Sequence, residues 1–420
     1  MAITATEDPP ATAPFGAAAR LSCRECGETY DLGPRFACEF CFGPLQVAYD
    51  FPAITREQIA AGPNSMWRYA PLLPVPADVA SKPNLNPGFT KLIDAGNLGR
   101  ELGIRSLHIK DDSGNPTHSF KDRVVAVALE AARNFGYTTL SCSSTGNLAG
   151  AVTAAAARAG LRACVFIPAG LEQGKVVMAS VYGGDVVALE GTYDEVNRFC
   201  TELIGDGAAE DWGFVNVNLR TFYGEGSKTL AFEIAEQLGW RLPEQMIIPI
   251  ASGAQLTKID KGFQELIKLG LVEERPYKIF GAQATGCSPV ATAWKAGHEV
   301  VKPVKPDTIA KSLAIGNPAD GPYVLDICKR TGGAVEDVSD PEIVDAIKLL
   351  ARTEGVFAET AGGVTVGVLR KLLAAGVLDP EAETVVLNTG DGLKTLDAVG
   401  GGPTATIRPS LDEFRKAGLV

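Results

Sequence analysis

The stretch Ser106–Asn147, "SLHIKDDSGNPTHSFKDRVVAVALEAARNFGYTTLSCSSTGN", decides how the chain is read. A short β-branched run, "SLHIK", leads into a turn rich in Gly, Asn and Pro. A helical pattern, "DRVVAVALEAARNFG", and a second strand-like run, "TTLSCSS", follow. Strand, helix and strand in that order predict a βαβ unit, and therefore a parallel sheet. Lys121 stands where the turn meets the helix, with Asp122 suited to the helix N-terminus beside it. Val124, Val125, Val127 and Ala128 supply the face that buries this helix on the sheet. Most lysines are solvated, so a surface amine is the ordinary reading of Lys121. A rigidly placed amine at a strand–helix junction can instead be desolvated, which lowers its pKa and suits it to imine formation.

The alternation continues outward. "NLAGAVTAAAARAG" reads as a helix, and "RACVFIP", "GDVVALEG", "QMIIPIAS", "YKIFGAQ" and "TVVLNTGDG" read as further strands. The expected fold is α/β: mostly parallel sheet with helices on both faces. Ligands of open α/β sheets bind at the carboxyl ends of the strands, so the loops "SSTGN", "ASGAQ" and "NTGDG" are the first places to look for chemistry. The Pro-rich "APLLPVPADVASKPNLNPGFT" reads as an irregular connection packed over the sheet, because its leucines and valines favour burial. Solenoid repeats are absent.

Composition narrows the functional classes. The chain of 420 residues is 46% hydrophobic and 21% charged, an ordinary globular balance. No apolar run reaches the roughly 18 residues of a membrane span. A formal net charge of −11 argues against general affinity for nucleic acid or anionic membranes. The first nineteen residues carry acids and prolines where a secretory signal needs a basic start and an apolar core, and read as a flexible tail.

Of nine cysteines, Cys23, Cys26, Cys38 and Cys41 form two Cys-x-x-Cys knuckles, a spacing that closes tetrahedrally on structural Zn²⁺. A ribbon that no longer holds metal, or a redox pair, is the alternative. The other five lie in apolar segments as small buried hydrophobes of a reduced compartment, so a cytoplasmic location is expected. A zinc ribbon alone also raises a non-enzyme reading: a docking protein whose body is a degenerate scaffold.

An imine-forming lysine together with several phosphate-cradling loops suggests pyridoxal 5'-phosphate. The ordered set "NPTHSFKDR", "SSTGNLAGA", "EGSKTLAFEIAEQLGW", "PIASGAQLTKIDKGF", "GAQATGCSPV", "AETAGGVTV" and "NTGDGLKT" resembles pyridoxal-phosphate enzymes of the tryptophan synthase β-subunit fold, and within them the threonine synthases, in the branch with N-terminal cysteine knuckles. The resemblance implies two open, mostly parallel twisted sheets, the fold type II arrangement, with a small zinc-ribbon-like segment. It implies a tail over 1–19, the ribbon over 20–50, a large cofactor-binding domain over 51–125 and 225–420, and a small α/β domain over 126–224.

Residue by residue, the resemblance makes Lys121 the catalytic, cofactor-bearing lysine and lets Asn147 donate to the cofactor's ring hydroxyl. The turn Ser252, Gly253, Ala254, Gln255 and Leu256 wraps the phosphate with backbone N–H groups, and Thr389 faces the pyridine nitrogen. An ordinary strand–helix turn is the plain reading of 252–256, and helix capping that of Thr389. Ser144 and Thr145 bind the substrate carboxylate, a role compatible with capping the next helix. The implied substrate is O-phospho-L-homoserine, converted with water to L-threonine and phosphate, and a homodimer is implied.

Cations for the substrate phosphate are sought in "NVNLRTFYGEGSKT", at Arg220 and Lys228 with Asn216 and Asn218. Here the chain departs from other branches, which place an arginine where Phe222 stands. His118 either approaches the leaving phosphate or fills its turn. Cysteate synthase and threonine or serine dehydratase share the cofactor motifs and remain the alternatives.

Overall fold

The computed structural model describes residues 13–144, 146–171 and 173–418. Its larger sheet has six strands in the order Val335–Val338, Lys278–Ala284, Gln245–Pro249, Thr384–Asn388, Leu107–Asp111 and Lys91–Asp94. All neighbours are parallel except the last pair. A second, four-stranded sheet runs Asp185–Leu189, Arg162–Pro168, Thr139–Ser143 and Trp212–Phe214, all parallel. A small antiparallel sheet of Thr29–Tyr30, Ala18–Cys23 and Leu45–Tyr49 precedes both.

The expected α/β class is therefore present, and burial explains which strands were legible. Gln245–Pro249, Thr384–Asn388 and Thr139–Ser143 are buried at every position, as strands covered by helices on both faces must be. Their apolar runs announce them. Lys91–Asp94 is an edge strand with no buried position, and Trp212–Phe214 is only three residues long, so neither left a readable pattern.

The helix Lys121–Asn134 packs on the helices Asn147–Ala159 and Arg220–Glu225. Its start is tied to the larger sheet: Phe120 N donates to Thr389 O at 3.0 Å, and Ser119 pairs with Gly390. That pairing sets Lys121 across from the carboxyl end of the strand Thr384–Asn388.

The connection over 70–90 is irregular and packed, as expected. Leu72, Leu73, Val75 and Val79 are buried, and the turns tighten into 3₁₀ helices at Met66–Leu72 and Val79–Ser81. The stretch read as a tail needs a correction at its end. Phe15 packs within 5.2 Å of Phe135 and 5.1 Å of Phe222, and the first strand begins at Ala18, because an aromatic side chain buries well against two others. Among the described residues no helix is long and apolar enough to cross a membrane.

Candidate active site

Two adjoining cavities, of about 180 and 70 Å³, share Lys121, Asn147, Tyr223, Ala251, Ser252, Ala254 and Ser312. The strand ends Ala251–Ser252 and Ser143–Ser144 reach them, so the site lies at carboxyl ends of strands, where α/β sheets bind ligands.

Lys121 presents its amine here, with Tyr223 Oη at 3.4 Å. Burial pushes its pKa down from the usual lysine range, against the opposing influence of Tyr193 and Glu359. Among the described residues no carboxylate forms an ion pair with this amine, so burial prevails.

Asn147 opens the helix Asn147–Ala159 and is held from both sides of its amide. Nδ2 donates to Glu359 Oε2 at 2.6 Å, and Lys394 Nζ donates to Oδ1 at 3.1 Å. Glu359 in turn meets Lys175 at 3.3 Å. Burial raises the Glu359 carboxyl, but Lys175 and Lys394 outweigh it and keep the pKa below the ordinary value. Glu359 and Lys394, the partners of Asn147, and Lys175 behind Glu359 were not found in the sequence, because "EQGKV", "AETAG" and "DGLKT" lie far apart in it and meet only in the fold.

Ser252, Gly253, Ala254 and Gln255 line the smaller cavity with Thr389 and Phe120. Ser252 to Ala254 lead into the helix Ala254–Lys268, whose N-terminal N–H groups attract an anion. Gly253 has φ +95°, and a Cβ there would lie 2.9 Å from both Asp320 Cβ and Val324 Cγ2, so this turn admits no side chain. Leu256 lines neither cavity. Its side chain is fully buried in the main core.

Ser144 lines the larger cavity, and its Oγ accepts from Gly146 N at 2.9 Å and Ala149 N at 3.0 Å, a cap on the helix that follows. Thr145 lies outside the described residues. Of the four residues sought for a substrate phosphate, Asn216 and Arg220 line the cavity. Asn218 is buried and accepts from Phe214 N at 2.8 Å. Lys228 is a correction: it is fully buried, donating to Leu72 O at 3.0 Å and Glu265 at 2.8 Å, with Glu225 at 2.9 Å. A lysine so enclosed serves the core. His118 is exposed, with φ +60° and Nδ1 at 3.4 Å from Ser113 O, and fills its turn.

The four sulfur atoms of Cys23, Cys26, Cys38 and Cys41 lie within 4.8 Å of one another, a cluster that could hold a metal ion. Tyr30 Oη is 3.1 Å from Cys38 Sγ. The remaining five cysteines are buried free thiols.

The cavities fit pyridoxal phosphate. A desolvated amine stands at one wall, and a side-chain-free turn at a helix N-terminus stands at another. Ser312 Oγ and Gln255 Nε2 are buried there with no hydrogen-bond partner among the described residues, polar groups that a bound anion or ring substituent would satisfy.

The comparisons agree on the class. The family model described as pyridoxal-phosphate dependent enzyme matches residues 84–390. The fold resembles diaminopropionate ammonia lyase from Escherichia coli (TM-score 0.64, 16% identity, covering 92% of this chain and 97% of that one) and the processed form of threonine deaminase isoform 2 from Solanum lycopersicum (TM-score 0.61, 21%, covering 81% and 85%). Nearer in sequence are curated relatives of one name. Threonine synthase of Methanocaldococcus jannaschii is 38% identical over 90% of this chain and 93% of the relative, and that of Methanosarcina acetivorans 34% over 94% and 98%. The chain belongs to the pyridoxal-phosphate dependent enzymes, and within them to the threonine synthase family.

Proposed function

We propose that the protein is a threonine synthase, converting O-phospho-L-homoserine and water to L-threonine and phosphate. The observation that carries this reading is the buried amine of Lys121, which shares its cavity with the anion-binding turn Ser252–Gln255. Pyridoxal 5'-phosphate, when bound, supplies an aldehyde that captures the substrate amine and an electron sink that makes the Cα and Cβ protons removable.

The chain's own residues divide the rest of the work. Lys121 holds the cofactor, and once released its amine, kept from full protonation by burial, takes and returns protons at Cα and Cβ. Asn147, clamped by Glu359 and Lys394, donates to the ring hydroxyl, and that clamp holds its amide in one orientation. The backbone of Ser252 to Gln255 would receive the cofactor phosphate. Thr389 faces the ring nitrogen with a hydroxyl, which does not hold that nitrogen protonated as a carboxylate would. Ser144 would receive the substrate carboxylate at the N-terminus of the helix Asn147–Ala159.

We extend the proposal to a structural Zn²⁺ on the cysteine quartet, supported by sulfur spacing that suits tetrahedral thiolate ligation. A reducing compartment such as the cytoplasm accords with the free thiols. The division into a ribbon over 20–50, a small domain over 126–224 and a large domain over 51–125 and 225–420, and a homodimer, follow the family resemblance.

The test is substrate choice by the purified holoenzyme. Phosphate and threonine should appear from phosphohomoserine at a kcat/KM at least about 100-fold above that for any phosphoserine and sulfite reaction. Cysteate formation as the faster reaction would replace this reading with that of the sulfonate-forming alternative.

A further inference from the structure

The larger cavity is walled in part by the N-terminal ribbon, which contributes Arg24, Phe36, Pro44 and Leu45. Arg24 is the residue after the first cysteine of the quartet, so the sequence accounts for it only as part of a metal knuckle. In the fold it reaches Asp320, with Nη1 3.4 Å from Oδ1, while Arg220 Nη2 takes Oδ2 of the same carboxylate at 2.7 Å. The Arg24 guanidinium carbon also lies over the Tyr323 ring, 3.6 Å from its centroid. Its side chain is 20% exposed and that of Asp320 8%, so the pair is set in the wall rather than free on the surface.

Asp320 is itself anchored at the cofactor turn, since its N donates to Ser252 O at 2.9 Å. Two guanidinium groups are thereby fixed beside the catalytic cavity by one carboxylate. Apart from Lys121, whose amine burial keeps from full protonation, the charged residues lining the cavity are Arg24, Arg220 and Lys258 against Asp194 and Asp320, three cations to two acids. A positive pocket in a chain of net charge −11 is a local design for an anion. Lys258 is turned toward the buried Glu225, which leaves the two arginines to face a ligand.

We propose that Arg24, lent by the cysteine ribbon, acts with Arg220 to bind the phosphate end of the substrate, so that the ribbon is part of the active site. This rests on the reading of phosphohomoserine as substrate. Planar guanidinium groups suit the geometry of a phosphate, and a fixed carboxylate between them keeps both in place when no substrate is bound. Arg24 is a binding residue in this account, and its position depends on the knuckle that carries it.

The test compares wild-type holoenzyme with the Arg24→Ala and Arg24→Gln variants. Arg20→Ala serves as control, removing a guanidinium of the same ribbon whose side chain is 54% exposed. KM for phosphohomoserine and Kd for inorganic phosphate, by titration calorimetry, should both rise about tenfold or more in the Arg24 variants, with kcat less affected. The Arg20 variant should match wild type, and cofactor absorbance should persist in all. If Arg24→Ala sheds metal or fails to fold, Arg24→Gln decides by the same criterion. Values of KM and Kd within about twofold of wild type in the Gln variant, or a wild type with no measurable phosphate binding, would overturn the proposal. A wild type that binds phosphate but does not turn over phosphohomoserine would defeat the functional reading instead, while the phosphate Kd still judges Arg24.

Discussion

Lys121 and Arg123 are two residues apart in the first turn of one helix, and both are enclosed by protein, yet their surroundings are opposite. Arg123 is completely buried, with Nε at 2.8 Å from Asp112, Nη2 at 2.8 Å from both Asp112 and Glu233, and Nη1 donating to Glu233 and Thr229. Lys110 adds a second cation to the same cluster at 2.7 Å from Glu233. Among the described residues the Lys121 amine has only the Tyr223 hydroxyl, at 3.4 Å, as a hydrogen-bond partner. Burial lowers the pKa of both cations in principle. The two carboxylates reverse that for Arg123, whose pKa is raised, and nothing comparable reverses it for Lys121. A paired buried charge is structural. An unpaired buried amine gives up its proton easily, which is what a nucleophile and base requires.

The sharpest way to break this comparison is to remove each cation in turn. Lys121→Ala should lower turnover by at least about 10³-fold and leave thermal unfolding close to wild type. Comparable turnover in that variant would show that the amine is not the reacting group. Arg123→Met should do the reverse. Leaving Asp112 without a cation in the core, and Glu233 with Lys110 alone, should cost about 3–5 kcal/mol of stability, read by denaturant unfolding, while the folded fraction keeps its cofactor.

A smaller effect sharpens the structural half through pH. Burial raises the Glu233 carboxyl, but Arg123 and Lys110 outweigh it and hold the pKa at about 2, against an ordinary value of 4.5. A depressed carboxylate contributes stability that is present above its unfolded pKa and lost as pH falls through its folded one. Unfolding free energy should therefore decline from about pH 4.5 toward pH 2, by a total on the order of 3 kcal/mol from this group. Glu233→Gln should flatten that decline, and an unchanged acid slope in the variant would assign it to other groups.

The two cysteine knuckles and the strand–helix alternation were readable without a fold because both signals are local. "QMIIPIAS" and "TVVLNTGDG" are continuous apolar runs bounded by turn residues, and each is a fully buried strand. Lys121 was readable because its turn, its helix and its motif lie within a few residues. Lys228 misled because a basic residue near "FYGEG" carries no mark of whether it faces the cavity or the core. The fold turned it to the core, over the Tyr49 ring at 4.0 Å. Arg24 was missed for the opposite reason, since its neighbours in sequence are the knuckle cysteines and its neighbours in space line the larger cavity.

By itself the sequence determined the α/β class, the quartet of thiols and the identity of the amine at position 121, since each depends on spacing along the chain. Only the tertiary structure decided which cations are paired and which are left to a ligand. Charge pairing depends on distances between Asp112 and Arg123, Glu359 and Lys175, or Asp320 and Arg24, and folding over long sequence separations sets most of those distances.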